Sequence, residues 1–257
     1  MKLSKISTAL TLSTALAMSA HAAPINLVQN GDFSDVGGIT DPTQFGSRNN
    51  NGYVASDFIA NWTGNEGYEI WYPDAASATS VNATSEWGET STKNTNKEML
   101  WAIAPAPNGT NTFVGLDGDQ TSGVQSSISQ TIGDLTIGQQ YTLTFDWGAA
   151  QMQSRDGDTQ EYLAVTFGSD TQDTSTIDNP SHSFTGWQSE TMTFTATAAS
   201  QTLTFLSVGT PSGLPPMALL TNVSMVANVP EPSVMMLFGT GLIGLAFISR
   251  RRTVTLE

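Results

Sequence analysis

Gly-Gln-Gln-Tyr-Thr-Leu-Thr-Phe-Asp-Trp, residues 138–147, decides how the rest of the chain is read. Tyr141, Leu143, Phe145 and Trp147 fall on one side of an extended backbone and Thr142, Thr144 and Asp146 on the other, because successive side chains of a strand point to opposite faces. A helix would scatter the four large residues around its circumference, so the alternation predicts a half-buried strand. Outward from it the same period returns. Val124, Ser126, Ile128, Gln130 and Ile132 share a face before the turn at residues 133–138, and Leu163, Val165 and Phe167 do so after a polar loop. Met192, Phe194 and Ala196 follow, then residues 201–209, then 218–227, where Leu219, Val223 and Met225 are expected on one face. Toward the N-terminus, residues 25–33 read as a short strand turning at Asn30-Gly31, a dipeptide suited to positive φ. Residues 67–72 read as a strand with Tyr68, Ile70 and Tyr72 on one face and Trp71 on the other. Short apolar segments at 99–103 and 112–116 flank a Pro-rich turn. Residues 34–52 read as a long loop, 73–96 as a polar surface excursion, and no helix is expected in the body. Thr-, Val- and aromatic-rich strands separated by Gly, Asn and Asp turns predict an all-β protein, an antiparallel β-sandwich of jelly-roll form.

Both ends differ from this body. Lys2 and Lys5 precede a mostly apolar run at residues 6–18, and Ala20-His21-Ala22 supplies small residues at the cleavage positions, the pattern of a signal peptide over residues 1–22. At the other end stand Val229, Pro230, Glu231, Pro232 and Ser233, an apolar run at 234–248, and Arg250, Arg251 and Arg252. As a helix the run spans about 22 Å, short of the roughly 30 Å hydrocarbon core, so it reads as a minimal membrane span. The three arginines hold its far end in the cytoplasm and leave the body outside. Prolines on both sides of Glu231 prevent a helix from running out of the body and leave an extended linker. The expected organisation is a signal peptide helix at 1–22, a sandwich domain at 23–228, a hydrophobic sorting helix at 229–252 and a cytoplasmic tail at 253–257.

The order Pro-Glu-Pro, short apolar helix, Arg cluster resembles the PEP-CTERM sorting signal of Gram-negative bacteria that make exopolysaccharide. The resemblance implies an exported chain held first at the inner membrane, with the general secretion machinery and an exosortase as partners, and then the cell surface or extracellular matrix as its location. The body also resembles a family. Residues 26–33 (Asn-Leu-Val-Gln-Asn-Gly-Asp-Phe), Ile128-Ser129-Gln130-Thr131, residues 138–146, 186–197 and 220–225 are similar to choice-of-anchor and galactose-binding-like jelly rolls, which implies the fold and, more distantly, extracellular polysaccharide as a partner.

Composition narrows the chemistry. Residues 23–228 keep four cations, Arg48, Lys93, Lys97 and Arg155, against twenty-one carboxylates, a net charge of −17. Phosphate binding needs clustered Lys and Arg, so nucleic acid is excluded as a partner. The chain has no cysteine, and His182 is the body's lone histidine. Disulfides, His-rich metal sites and Ser-His-Asp or Cys-His constellations therefore have almost no material.

Four kinds of candidate site remain. An exposed aromatic face packs on a pyranose ring while polar neighbours take its hydroxyls. Trp71, pointing away from its Tyr and Ile neighbours, and Trp87, in a polar stretch, are the candidate glycan platforms, with Arg155 as an anchor for hydroxyl or carboxylate. The jelly-roll resemblance implies a structural Ca²⁺ between the first and last strands, but Ser34 and Thr221 stand where its carboxylates belong. Asp32, Asp35 and Asn222 are the oxygen-bearing residues that could replace them. Asp117-Gly118-Asp119 and Asp156-Gly157-Asp158 with Glu161 are oxygen-rich loops without EF-hand spacing. A glycosidase pair would have to come from Glu69, Asp146 or Glu161. The expected function is a non-catalytic, exported surface or matrix protein that binds glycan, with a cation-binding structural protein as the alternative and a glycosidase or lyase third. No cofactor is expected beyond Ca²⁺.

Overall fold

The computed structural model describes residues 25–45, 55–65, 67–79, 99–153 and 155–228. The expected signal peptide, Trp87, and the expected sorting helix with Val229, Pro230, Glu231, Pro232 and the three arginines lie outside the described residues. Among those described, no helix is long and apolar enough to cross a membrane.

The described strands are β1 (Thr43–Phe45), β2 (Thr63–Gly64), β3 (Glu69–Tyr72), β4 (Phe113–Asp117), β5 (Ser127–Ile132), β6 (Gln140–Gln151), β7 (Thr159–Phe167), β8 (Asp170–Asp173), β9 (Ile177–Asn179), β10 (Gln188–Thr195), β11 (Gln201–Thr210) and β12 (Pro216–Ala227), with a single helical turn, α1 (Ala75–Ala78). They form two sheets in the orders β1-β3-β4-β12-β6-β10 and β2-β5-β11-β7-β8, with β9 beside β7. Every strand pair is antiparallel. The result is a β-sandwich of the expected class. Tyr141, Leu143, Phe145 and Trp147 on β6 face Leu163, Val165, Phe167 and Phe205 of the other sheet across one continuous apolar core. Phe145 and Phe205 meet edge to face with centroids 5.1 Å apart, an arrangement aromatic quadrupoles favour.

The first sheet is buried on its other face as well. Ile70, Tyr72, Phe113, Ala150, Met217 and Leu219 form a second cluster with Leu100, Ala106 and Ala78, and Ile103, Phe184 and Trp187 close its rim. Residues 73–79 and 99–107 are therefore a covering layer rather than a surface excursion. Asp74 accepts the Ser77 amide at 2.6 Å and starts α1, the one short helix where none was expected. The segment at 99–103 forms a bridge from Leu100 to Met152 rather than a strand, with hydrogen bonds from the Trp101 amide to the Gln151 carbonyl at 2.9 Å, from the Gln153 amide to the Met99 carbonyl at 2.9 Å and from the Leu100 amide to the Ala78 carbonyl at 2.8 Å.

Other expectations are corrected by backbone geometry. Residues 25–33 are not a strand, since Asn30 and Phe33 have φ of 50° and 58° and interrupt extension. They are tied to β12 by isolated bonds, Leu27 N–H to Met225 O and Val223 N–H to Gly31 O. The loop expected over 34–52 contains β1. Leu219 does not share a face with Val223 and Met225, because a bulge between Thr221 and Ser224, with Asn222 at φ 55°, inserts one residue and reverses the alternation. Leu219 accordingly joins the outer cluster while Val223 and Met225 enter the core between the sheets.

Candidate functional site

A cleft of about 420 Å³ lies where β2 gives out beside β5. The register Thr63↔Ser129 and Gly64↔Ile128 would set residues 62 and 61 opposite Gln130 and Thr131. Asn61 instead takes φ 68°, a left-handed conformation that ends the strand and turns the chain away. Gln130 fills part of the gap. Its Oε1 accepts the Gln29 amide at 2.9 Å and its Nε2 donates to the Gln29 carbonyl at 2.8 Å, so a side-chain amide acts as a strand partner for the N-terminal segment.

The loop at 55–62 is held in place from beneath. Asn30 Nδ2 donates to the Ala60 carbonyl at 3.0 Å and to the Asp35 carbonyl at 3.2 Å, and its Oδ1 accepts the Asp35 amide at 3.0 Å. Trp62 is buried, with its ring 5.1 Å from Phe33 and its Nε1 donating to the Asn30 carbonyl at 3.0 Å. It forms the floor from the core side. Above it open Gln29, Asp57, Asn61, Thr63, Ser129 and Thr131. Amides, hydroxyls and one carboxylate on a rigid floor are the groups that pair with the hydroxyls of a polyol.

Of the glycan residues expected from sequence, Trp71 and Arg155 do not meet here, and Trp87 lies outside the described residues. Trp71 is 2% exposed, its ring packs edge-on to Phe58 at 6.3 Å, and its Nε1 donates to the Phe33 carbonyl at 2.8 Å. It offers no face to a sugar, because both faces of its sheet are covered. The half-buried tryptophans are Trp101, tilted against His182 at 4.5 Å, and Trp187, which donates to the Ala104 carbonyl at 3.0 Å. Arg155 is half-buried in the β6–β7 connection, its amide bonded to the Met152 carbonyl at 3.1 Å. It stands beyond the Gln160↔Thr210 end of the second sheet, whereas the cleft lies near Thr131↔Thr202.

The cation ligands expected from sequence each have hydrogen-bond partners within the chain. Asp32 Oδ1 accepts the Ser34 hydroxyl at 2.9 Å, Asn222 Nδ2 donates to Asp146 Oδ2 at 2.8 Å, and Asp35 engages Asn30 through its backbone. Asn108 lies between the N-terminal segment and β12. Its Nδ2 lies 2.7 Å from the Thr112 carbonyl, 2.6 Å from Thr221 Oγ1 and 3.5 Å from the Asp32 carbonyl. Its Oδ1 accepts the Asn111 amide at 2.7 Å, so the amide is fixed with nitrogen toward the oxygens. Where three oxygens gather, a neutral N–H donor from the chain satisfies them. Nothing in the sequence around Asn108 indicated this role, since its partners are 4, 76 and 113 residues away.

The carboxylates considered for catalysis sit apart. Glu69 and Glu161 are fully buried, one on β3 and the other on β7 in the opposite sheet. Burial pushes the Glu69 carboxyl up to about 8; backbone amides of Gly67, Glu69, Asn65 and Ser127 pull the other way, yet neither carboxyl oxygen is hydrogen-bonded. Burial likewise raises Glu161 to about 8, against the 2.6 Å hydrogen bond from Thr159 Oγ1 and assisted by the charge of Asp178. Asp146 is held by Ser189 Oγ and Asn222 Nδ2 on the covered face of the first sheet. In the Asp117-Gly118-Asp119 turn, burial raises the Asp119 carboxyl, but hydrogen bonds from Thr121, Gly213 and Ser212 outweigh it and hold the group below its ordinary value. Those oxygens are used by the turn itself: Oδ1 accepts from Thr121 N and Oγ1, and Oδ2 accepts from Gly213 N at 2.7 Å.

No curated protein matches this chain. Among solved structures it is similar to the enzymatically active domain of bacteriophage CBA120 tailspike protein 4, with TM-score 0.36 and 14% identity over 79% of this chain and 21% of that one. It is similar to a CBM4 module, with TM-score 0.32 and 15% identity over 78% of this chain and 99% of that one. TmCBM61 in complex with β-1,4-galactotriose gives TM-score 0.34 and 9% identity over 79% and 99% of the two chains. The chain spans only about a fifth of the tailspike domain's length and 27% of the MgGH51 α-L-arabinofuranosidase that it also resembles. Its C-terminal residues 228–252, where Pro230, Glu231 and Pro232 precede the apolar run and the three arginines, match the family model for the PEP-CTERM protein-sorting motif, and the chain carries that sorting signal.

Proposed function

We propose that residues 23–228 form an exported body that an exosortase sorts through the 228–252 signal, and that this body binds glycan at the cell surface or in the exopolysaccharide matrix. The observation that carries the glycan reading is the cleft at the end of β2. It has a fixed floor, and its rim consists of Asp57, Asn61, Thr63, Ser129 and Thr131, whose hydrogen-bonding groups suit hydroxyls. Affinity retention on immobilised neutral polysaccharides tests it, using the purified protein beside Asp57→Ala and Asn61→Gly, the latter keeping the left-handed backbone while removing the amide. Retention lost in both variants with unchanged melting supports the reading. Absence of retention on every polysaccharide tried argues against it. Sorting is tested by intact mass in the native host with and without its exosortase gene. Loss of the mass that follows Pro230 only when the exosortase is present supports processing.

A second reading, a structural surface protein that collects cations without sugar specificity, is favoured by charge. Among the described residues Arg155 is the lone Lys or Arg against seventeen carboxylic acids. A Ca²⁺-dependent rise in melting temperature without glycan retention would select it, since a cation bound only by the folded state stabilises by mass action.

A further inference from the structure

The cleft's charge says more about its ligand than its hydroxyl-pairing groups do. Asp57 is the one charged residue in the lining, and it is exposed on the loop that Asn30 pins to the body. The remaining groups are amides and hydroxyls, which accept or donate to a neutral or a protonated partner alike. Among the described residues no cation stands by: Arg155, their one Lys or Arg, lies past the far end of β11. Thr202, beside the cleft, and Thr210, at that far end, are eight residues apart on one strand, roughly 26 Å at about 3.3 Å per residue. That is several times the roughly 8 Å over which charges act at physiological ionic strength, so Arg155 does not neutralise the cleft. The body around it carries a net charge of −17, a field that draws in polycations and repels polyanions.

Resting on the glycan reading above, we infer that the cleft takes sugars bearing a free amine, the ammonium of a glucosamine-type unit sitting on the Asp57 carboxylate, and that it rejects uronate polymers. The amides of Gln29 and Asn61 and the hydroxyls of Thr63, Ser129 and Thr131 take the neighbouring ring oxygens. No aromatic platform is needed, which fits a site whose lone indole, Trp62, is 1% exposed. The preference is an electrostatic addition to a neutral-sugar contact, so it is salt-sensitive while the contact beneath it is not.

The experiment titrates the purified full-length protein with a β-1,4-glucosamine hexamer, its fully N-acetylated twin and a hexagalacturonate, at low and at high NaCl. The expected result is binding of the glucosamine hexamer about tenfold tighter than the N-acetylated twin at low salt, that advantage vanishing at high salt, and no binding of the galacturonate. Asp57→Asn, which keeps hydrogen-bonding atoms at that position and removes the charge, is expected to erase the tenfold advantage, bringing the glucosamine hexamer down to the affinity of its N-acetylated twin. Equal binding of the two hexamers overturns the inference and leaves the glycan reading standing. An advantage that survives Asp57→Asn means that the amine adsorbs to the acidic surface at large, which overturns the assignment to this cleft. Failure of all three sugars to bind overturns the inference, and the polysaccharide retention test then decides the glycan reading.

Discussion

Two residues with no outlet to solvent set how this protein responds to pH. Glu69 and Glu161 have folded-state values near 8 against 4.5 for a free glutamate. Between those values the unfolded chain has released protons that the folded chain still holds, so ionisation favours unfolding. Their contribution to stability is greatest below about pH 4.5, falls as pH rises by up to about 1.4 kcal/mol per unit for each group, and levels off above about 8. Glu161→Gln keeps an acceptor for Thr159 and removes one of the two contributions. We expect urea midpoints of this variant to fall less steeply across that window than those of the parent, which a denaturation series at several pH values reads directly. Asn108 is the second sensitive site. Asn108→Ala removes the donor that the Thr112 carbonyl and Thr221 hydroxyl share and leaves them their 2.8 Å bond to each other, with an expected cost of about 1 kcal/mol seen as a lower urea midpoint at unchanged slope.

Among the elements, β12 is the most exacting. Its bulge puts Leu219 on one side of the sheet and Val223 and Met225 on the other, both sides being buried. Deleting Asn222 would remove the bulge and set Val223 directly opposite Phe145, so that Leu220, Val223 and Met225 alternate regularly and keep their places in the core. We expect the deletion to stay soluble with a lower melting temperature, through the lost bond to Asp146 and a disturbed Val223 bond to the Gly31 carbonyl, and Asn222→Gly, which accepts positive φ and loses the bond to Asp146, to fold with a loss of about 1 kcal/mol. On β3 the same double burial governs Trp71. Trp71→Ala should cost about 3–5 kcal/mol through the cavity it leaves, measured by thermal melting, and should not change sugar retention by the molecules that remain folded.

For the whole molecule, self-repulsion is the dominant long-range force. With −17 on residues 23–228, raising NaCl from low to physiological concentration should raise the melting temperature before any specific ion effect appears, because screening weakens repulsion between exposed carboxylates separated by more than about 8–10 Å. Magnesium or calcium at equal ionic strength gives the same rise if the acids act only as a diffuse field, and a larger one if some of them chelate. Differential scanning at matched ionic strength separates the two. The amine preference inferred for the cleft belongs to this scale as well as to Asp57, since the field of the body concentrates cations around it before contact.

The sequence by itself determined what is local or periodic. The alternation at residues 141–147 places four large side chains in the core, and the motif at 228–252 is read without any fold. Gln130, between Ile128 and Ile132, stands out as a polar residue on an apolar face. Only tertiary structure decided whether a strand's second face met water. That is why Trp71, correctly placed opposite Ile70 and Tyr72, proved buried rather than available to a ligand. The cleft was illegible for a related reason. Gln29 and Gln130 are 101 positions apart, and a contact of that kind is written in no local pattern but in the pairing of sheets and the one left-handed residue, Asn61, that stops β2. Asn108 is the same case, a turn residue by sequence that becomes a hub because β12 and the N-terminal segment bring oxygens to it.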